Sequence, residues 1–503
     1  MNNRKKSVRN LAFSLIGQII TIALGIVLPR LYIVSYGSEV NGMLSTIQQF
    51  LSYLSLFEAG IGATVLQALY SPVAKMNHDE INGVMSATNV FYKKTATYYG
   101  GGLLLLGFIY PLFLKTSLSY LFMVSCVILS GVGNFALYLV HAKYKLLLQA
   151  DGRYYVSVNL STAMTILTSV AKIVLIALGK NVVSVLAVSA AVQLIPAWFL
   201  TAYVRKNYPF LNLSAEPQFD KIRERNYMLI HQIAGMVFQN TDLLVISMIC
   251  GLKLASVYAI YRMIISHLES ILTIPISSVG FVLGQTYQTD KDKFRMFIDV
   301  FERWNAVLFF SVYTVTLRLF VPFISIYMQG VTDVKYTDSV LAVLFVMVAV
   351  LTACRVPMLN TINYAGKFKD TVPQTIAETL INLIITVPAT FLWGIYGALL
   401  GTIVALLYRT NDVIIYANKR LLNRSPLGTY AIYVEQIVIA IPVLILLRLF
   451  NSPGSYIQFF KTGVEMSLVS ITCYIVINLL ISKESRRIIK HYIVKRRCEG
   501  NAK

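Results

Sequence analysis

The sequence predicts an all-α polytopic membrane protein of about 14 transmembrane helices. Two six-helix lobes related by a pseudo-twofold axis along the membrane normal are expected, followed by a C-terminal helix pair. Three observations carry this. Of the 503 residues, 56% are hydrophobic and only 13% charged, about half the charged share of a soluble domain. The apolar residues form long continuous runs, as in 101-GGLLLLGFIYPLFL-114, where a membrane barrel would alternate over segments of about ten. Basic residues collect in every second loop. A soluble enzyme, a disordered chain and a secreted disulfide scaffold are excluded together.

A membrane helix needs about 20 apolar residues. Hydropathy and turn signals place spans at 10–33, 41–69, 89–114, 118–142, 155–178, 182–204, 227–250, 254–283, 303–328, 339–363, 372–395, 397–418, 428–450 and 460–481. The N-terminal 1-MNNRKKSVRN-10 precedes an apolar run without a small-residue cleavage site, so it reads as the start of an uncleaved first helix. The stretch 75–94 is amphipathic and is expected to lie on the inner surface before the third span. The domains follow as 1–204 (first lobe), 205–226 (inner linker), 227–420 (second lobe) and 421–503 (final pair and basic tail).

The net charge is +21, from 44 basic and 23 acidic residues. Alternate segments hold Arg4 to Arg9, Lys75, Lys143 to Arg153, Arg205 to Arg225, Lys291 to Arg295, Lys367 and Lys369, Lys419 to Arg424, and the tail from Lys483. The opposite segments hold only Lys115, Lys180, Lys253, Lys335 and Lys461. Basic loops face the cytoplasm, so both termini are expected there, in the cytoplasmic membrane. The tail 483-KESRRIIKHYIVKRR-497 suits anionic lipid rather than nucleic acid. Cys126, Cys250, Cys354 and Cys473 lie in apolar spans and Cys498 in the tail. Without CxxC spacing they indicate neither a disulfide framework nor a zinc site. No phosphate-binding glycine loop is present, so no built-in ATPase is expected. No cofactor is implied, and His231 and His267 read as packed side chains.

An internal repeat supports the two lobes. Gly37 after span one and Gly251 after span seven stand 214 residues apart. So do Gly152-Arg153-Tyr154 and Gly366-Lys367-Phe368. Six spans per repeat is an even number, which gives both copies the same orientation.

Polar residues inside the spans share helix faces. Span one carries Ser14, Gln18, Thr21 and Gly25. Span two carries Ser45, Gln48, Ser52, Ser55 and Glu58. Span seven carries His231, Gly235, Gln239 and Asp242, and span eight Tyr258, Arg262, Ser266 and Glu269. These are the first two helices of each repeat, and together they suggest a shared water-filled cavity. Hydrogen bonding within a packed bundle would give the same stripes. Arg318, Arg448, Arg303 and Arg409 lie near span ends and are expected to snorkel. Arg30, Arg262, Arg355 and Lys172 are placed for an anion. Buried arginine needs an acid or an anionic ligand, and its planar fork suits phosphate. Glu58, Asp242 and Glu269 are the acids available to them. Asp242 also suits a coupling proton or cation.

The stretches 46-TIQQFLSYLSLFEAGIGATVLQALY-70, 143-KYKLLLQADGRYYV-156 and 239-QNTDLLVISMICGLKLASVYAIYRMI-264 resemble the Wzx-type oligosaccharide flippases. These belong to the multidrug/oligosaccharidyl-lipid/polysaccharide (MOP) exporter superfamily, which includes MATE and MurJ-type proteins. The resemblance covers essentially the whole chain and implies a MATE-like fold. It also implies export of polyprenyl-pyrophosphate-linked oligosaccharide units for capsular or other surface polysaccharide, by alternating access. It further implies a lipid-linked oligosaccharide, membrane lipids, and a polysaccharide polymerase and glycosyltransferases as partners. Arg30, Arg262, Arg355 and Lys172, with Gln48, Glu58, Gln239 and Tyr258, are the candidate substrate contacts. Asp242 and Glu269 are candidates for ion coupling or charge pairing. A peptidoglycan-precursor flippase and a multidrug exporter share this fold. The latter would want an acidic, aromatic cavity without deep arginines. A sugar-modifying enzyme would need a carboxylate or histidine in an accessible loop, and the short loops leave little room for one.

Overall fold

The computed structural model describes residues 3–58, 61–114, 116–222, 226–367 and 369–481, with the side chains of 3–16, 18, 63, 154, 221, 222, 226–229, 277, 278 and 281 outside that description. The side chains of Ser14 and Gln18 of the first stripe and of the N-terminal basic residues therefore lie outside that description, and the basic tail with Cys498 lies outside the described residues altogether.

Sixteen α-helices follow in order: α1 Asn3–Tyr36, α2 Ser38–Leu54, α3 Ile61–Ala74, α4 His78–Ile109, α5 Tyr120–Ala136, α6 Ala142–Ala150, α7 Tyr154–Ala177, α8 Val182–Asn207, α9 Asn226–Ile249, α10 Leu252–Thr289, α11 Lys291–Tyr327, α12 Ser339–Tyr364, α13 Val372–Trp393, α14 Ile395–Tyr416, α15 Leu427–Leu447 and α16 Tyr456–Ile481. No strand occurs among the described residues. Among the same residues, 13 helices are long and apolar enough to cross a membrane. The remaining predicted span, 41–69, is broken: α2 ends at Leu54, a tight 3₁₀ turn covers Ser55–Glu58, and α3 begins at Ile61. The sequence 58-EAGIG-62 carries two glycines within five residues, a composition that disfavours an uninterrupted helix.

The glycine pairs of the repeat share backbone conformation as well as spacing. Gly37 and Gly251 have φ of 87° and 90°, and Gly152 and Gly366 have 69° and 65°. Gly179 and Gly394, after α7 and α13 and one residue off that spacing, add a third pair at 67° and 57°. Left-handed φ just past a helix end is the ordinary role of glycine as a terminator, and here the same role recurs in both halves.

The amphipathic stretch before span three is not a separate surface helix. It forms the first turns of α4, one uninterrupted helix whose residues Gly83 to Asn89 are buried. The linker covers it. Asn82 Nδ2 donates to Phe210 O at 3.1 Å, Ser86 Oγ to Ala215 O at 2.6 Å and Gln218 N to Gly83 O at 3.1 Å. The His78 ring stacks on Phe210 with centroids 3.8 Å apart. Tyr208, beside it, donates to Asp151 Oδ2 at 2.5 Å. Burial, reinforced by that carboxylate, pushes the Tyr208 phenol above its ordinary range.

The chain packs as two compact units. Unit 1 holds Met1–Met263 with Val331–Val334 and Thr390–Ala398, and unit 2 holds Ile264–Gly330, Lys335–Ala389 and Leu399–Lys503. The division falls within α10. In unit 1 the core is built on α2, α4, α5, α6 and α8, through Met43, Ile47, Tyr92, Tyr99, Val127 and Leu147. In unit 2, α11 is the central helix and packs on α12, α15 and α16. Polar bonds tie the final pair to it and to each other. Ser470 Oγ donates to Ser311 O at 2.9 Å, Tyr474 Oη lies 2.9 Å from Thr314 Oγ1, and Asn478 and Gln436 exchange bonds of 3.0 Å. Such interhelical bonds contribute about 0.6 kcal/mol each in a bilayer. The apolar row Ile437, Ile441, Ile445 and Leu449 stays exposed, as lipid-facing helix surface requires.

Candidate functional site

All of α1, α2 and α9, with α10 as far as Met263, lie in unit 1. These are the helices whose sequences carry the polar stripes. They meet first at the start of α2. Ser38 donates through both N and Oγ to Asp333 Oδ2 and Oδ1, each at 2.8 Å, so Asp333 caps α2 from a distant loop. Asn41 Nδ2 donates to Ser256 Oγ at 2.8 Å. At Gly42 a Cβ would stand 1.8 Å from Leu252 O, so only glycine allows this approach of α2 to α10. Glu39 beside it accepts from Thr116 Oγ1 at 2.6 Å and from Ser117 N and Oγ at 3.2 and 2.9 Å. Burial by itself would raise the Glu39 carboxyl. The hydrogen bonds and the Lys253 charge outweigh it and hold the group below its ordinary range.

Further along α2, the Tyr53 hydroxyl lies 2.8 Å from Thr241 Oγ1 on α9. The next residue, Asp242, is buried. Tyr258 of α10 donates its hydroxyl to Asp242 Oδ2 at 3.1 Å. Arg262, one helical turn beyond Tyr258 and half-buried, acts electrostatically on that phenol. Asp242 does the same to Tyr53. The result is one buried carboxylate, two tyrosines and a guanidinium from three helices. The carboxylate, which accepts the Tyr258 hydroxyl, suits a cation or proton, and the guanidinium suits an anionic oxygen.

Of the sequence-derived candidates, the structure brings Asp242, Tyr258 and Arg262 together. Gln48 and Gln239 are exposed on α2 and α9, while Arg30 on α1 and Lys172 on α7 are half-buried in unit 1. Glu58 accepts from Tyr92 Oη at 2.8 Å, within the core of unit 1. Glu269, half-buried, and Arg355 belong to unit 2.

Arg355 meets an acid other than the three expected from the sequence. Its Nη1 donates to Glu378 Oε1 on α13 at 2.8 Å. Arg409 of α14, only 3% exposed, approaches Glu378 Oε2 at 3.6 Å and pairs with Asp412 at 2.5 Å. It also donates to Thr375 Oγ1 at 3.0 Å. Snorkelling of Arg409 is therefore corrected: it is enclosed in a cluster of two arginines and two acids. Arg303 likewise pairs inward, with Glu435 at 2.7 Å. Arg424 bonds Asp299 and, at 2.7 Å, the buried Glu302. Only Arg409 and Asp412 had a sequence signal, their i, i+3 spacing.

No family model matches the chain, and no curated relative does. Solved structures do share its fold. What they share with this chain is the fold, an all-α architecture found in a membrane flippase and in membrane transporters. Among them is a lipid II flippase, MurJ, in an inward closed conformation, with TM-score 0.69 and 13% identity over 95% of this chain and 100% of that one. A multidrug-resistance MATE transporter in an inward-facing conformation follows at 0.63 and 14% identity, covering 80% of this chain and 94% of that one. An outward-facing form of such a transporter stands at 0.54 and 14% identity, over 84% and 97%.

Proposed function

We propose that this protein is a flippase. It moves polyprenyl-pyrophosphate-linked oligosaccharide units across the cytoplasmic membrane, by alternating access, for surface polysaccharide synthesis. The observation that carries the reading is a fold shared end to end with a lipid II flippase, joined to cations set within the spans. A charged, hydrated headgroup cannot cross hydrocarbon unaided. Arg262 supplies donors for pyrophosphate oxygens, with Arg30, Lys172 and Arg355 as further cations and Tyr258 as a neighbouring contact whose hydroxyl is held by Asp242. Gln48 and Gln239, exposed amides on adjacent helices, suit sugar hydroxyls. Glu58 completes the candidate set from the unit 1 core. Asp242 and Glu269 serve ion coupling or charge pairing. Both termini lie on the cytoplasmic side, by the distribution of basic loops. The polymerase and glycosyltransferases that use and make the substrate are the natural partners.

A peptidoglycan-precursor flippase is the second reading, favoured by the same MurJ likeness. A multidrug exporter is supported less, because Arg262 beside Asp242 opposes an organic cation.

The test is leaflet-to-leaflet movement of a polyprenyl-pyrophosphate oligosaccharide in proteoliposomes, with Arg262→Ala beside wild type. Movement by wild type, lost in the variant, is the expected result. Movement of lipid II alone would transfer the assignment to the second reading. Uptake of organic cations without lipid movement would overturn both.

A further inference from the structure

A second cluster of cations lies where α5 passes into α6. A π-turn at Leu137–His141 joins these helices. Insertions of this kind rotate a helix and recur at functional positions. The turn delivers four consecutive buried residues, His141, Ala142, Lys143 and Tyr144. Lys143 is only 7% exposed. Its Nζ donates to Asn89 Oδ1 of α4 at 2.7 Å and stands 5.3 Å from the centroid of the Tyr144 ring. An ammonium carries three donors, and an amide oxygen does not neutralise it.

The charged neighbours make the imbalance larger. Lys93 of α4 acts on Lys143, and Lys145 acts on His141. Arg205, from the end of α8, acts on Tyr144. All three neighbours carry positive charge. His141 is also buried, and its Nδ1 has no hydrogen-bond partner among the described residues. Among the same residues no carboxylate pairs with Lys143. A buried cation beside like charges is costly unless an anion completes the site. The apolar run expected from the sequence ends at residue 142 and the helical segment continues to Ala150, so Lys143 stands where the chain leaves its apolar stretch, the region in which basic side chains meet lipid phosphates.

We propose that the Lys143 cluster, formed with Asn89, His141 and Tyr144 and flanked by Lys93, Lys145 and Arg205, binds a phosphate group at the inner membrane surface. Two sources share that chemistry: the pyrophosphate of a lipid-linked substrate and the headgroup of an anionic phospholipid. The site stands without the transport reading, because its test measures binding and not movement.

The experiment uses the purified full chain. Inorganic pyrophosphate is titrated by calorimetry, and phosphatidylglycerol retained after extraction is counted by native mass spectrometry. Wild type is compared with Lys143→Gln and with the flanking pair Lys93→Gln/Lys145→Gln, of which Lys93 is exposed and Lys145 half-buried. Lys291→Gln/Lys293→Gln serves as a basic-surface control. Loss of charged hydrogen bonds weakens binding about tenfold or more, so Lys143→Gln should raise the pyrophosphate Kd by that factor while the control stays near wild type. Pyrophosphate binding lost in this way identifies the substrate as the source. Loss of retained phosphatidylglycerol without any pyrophosphate binding identifies the lipid. Should Lys143→Gln fail to fold, the flanking pair reads the same loss as a smaller weakening. Equal binding by wild type and the folded variants, or no binding of either probe by wild type, overturns the proposal.

Discussion

The two units treat buried charge differently. In unit 2, cations inside the fold meet carboxylates: Arg355 and Arg409 share Glu378, Arg303 meets Glu435, and Arg424 meets Asp299 and Glu302. In unit 1, Lys143 meets an amide, and Arg262 stands beside a phenol that is already donating to Asp242. A neutralised pair is a structural element, because its charges are spent on each other. A cation served only by neutral groups keeps its field for a ligand. By this criterion Lys143 and Arg262 are better placed to meet an anion than Arg355, whose charge is already met by Glu378.

The largest effect should come from removing a unit 2 cation. Arg409→Met leaves Glu378 and Asp412 with one guanidinium between them. Stripping one partner from a buried pair costs about 3–5 kcal/mol, so thermal unfolding in detergent should show a severely destabilised chain. Arg355→Gln removes the other guanidinium, and Arg355→Gln/Glu378→Gln restores balance around Arg409 and Asp412. The double variant should recover most of the thermal stability that the single variant loses. If it also recovers lipid movement, Arg355 is structural. If it recovers stability alone, Arg355 touches substrate and the contrast between the units fails.

These partners show where sequence reading stops. The spans were legible because hydropathy reports membrane thickness directly, and the glycine pairs because positive φ restricts residue choice. Helix length was not legible: α11 begins at Lys291, well before the apolar run, because its polar first turns need no membrane. The start of α4 read as a surface helix because the residues that bury it, Phe210 to Gln218, come from a linker far along the chain. Within the site, the stripe joining Tyr258 to Arg262 followed from helical periodicity alone. The pairing of Arg355 with Glu378 did not, because the partners stand on separate helices and no periodicity links them. The π-turn that buries Lys143 has no sequence signature of its own, so Lys143 read as an ordinary loop charge.

Smaller effects test unit 1. Gly42→Ala forces a methyl group onto Leu252 O, and overpacking of this kind costs about 1–3 kcal/mol. The start of α2 should separate from α10, and the thiol of Ser256→Cys should label faster. Unchanged labelling and stability would show that the approach is not tight. Arg262→Ala should leave thermal stability within about 0.5 kcal/mol of wild type, as for a side chain that no carboxylate holds among the described residues. A large stability loss there would place Arg262 with the structural cations of unit 2.

The smallest expected effect is also the most specific in sign. Glu39 has its carboxyl held below the ordinary range, through the bonds from Thr116 and Ser117 and the charge of Lys253. A depressed folded-state value means that its stabilisation is complete above the ordinary glutamate range. It is then lost as pH falls through the lowered value. Wild type should therefore lose stability on acidification more steeply than Glu39→Gln, and the two melting curves should converge at the acid end. Glu39 is only partly buried, so solvent screening should keep the difference at neutral pH slight. Parallel curves would mean that the start of α2 is held by Asp333 and Asn41 alone. Convergence would make Glu39 a third clasp on the helix end where α2 meets α10.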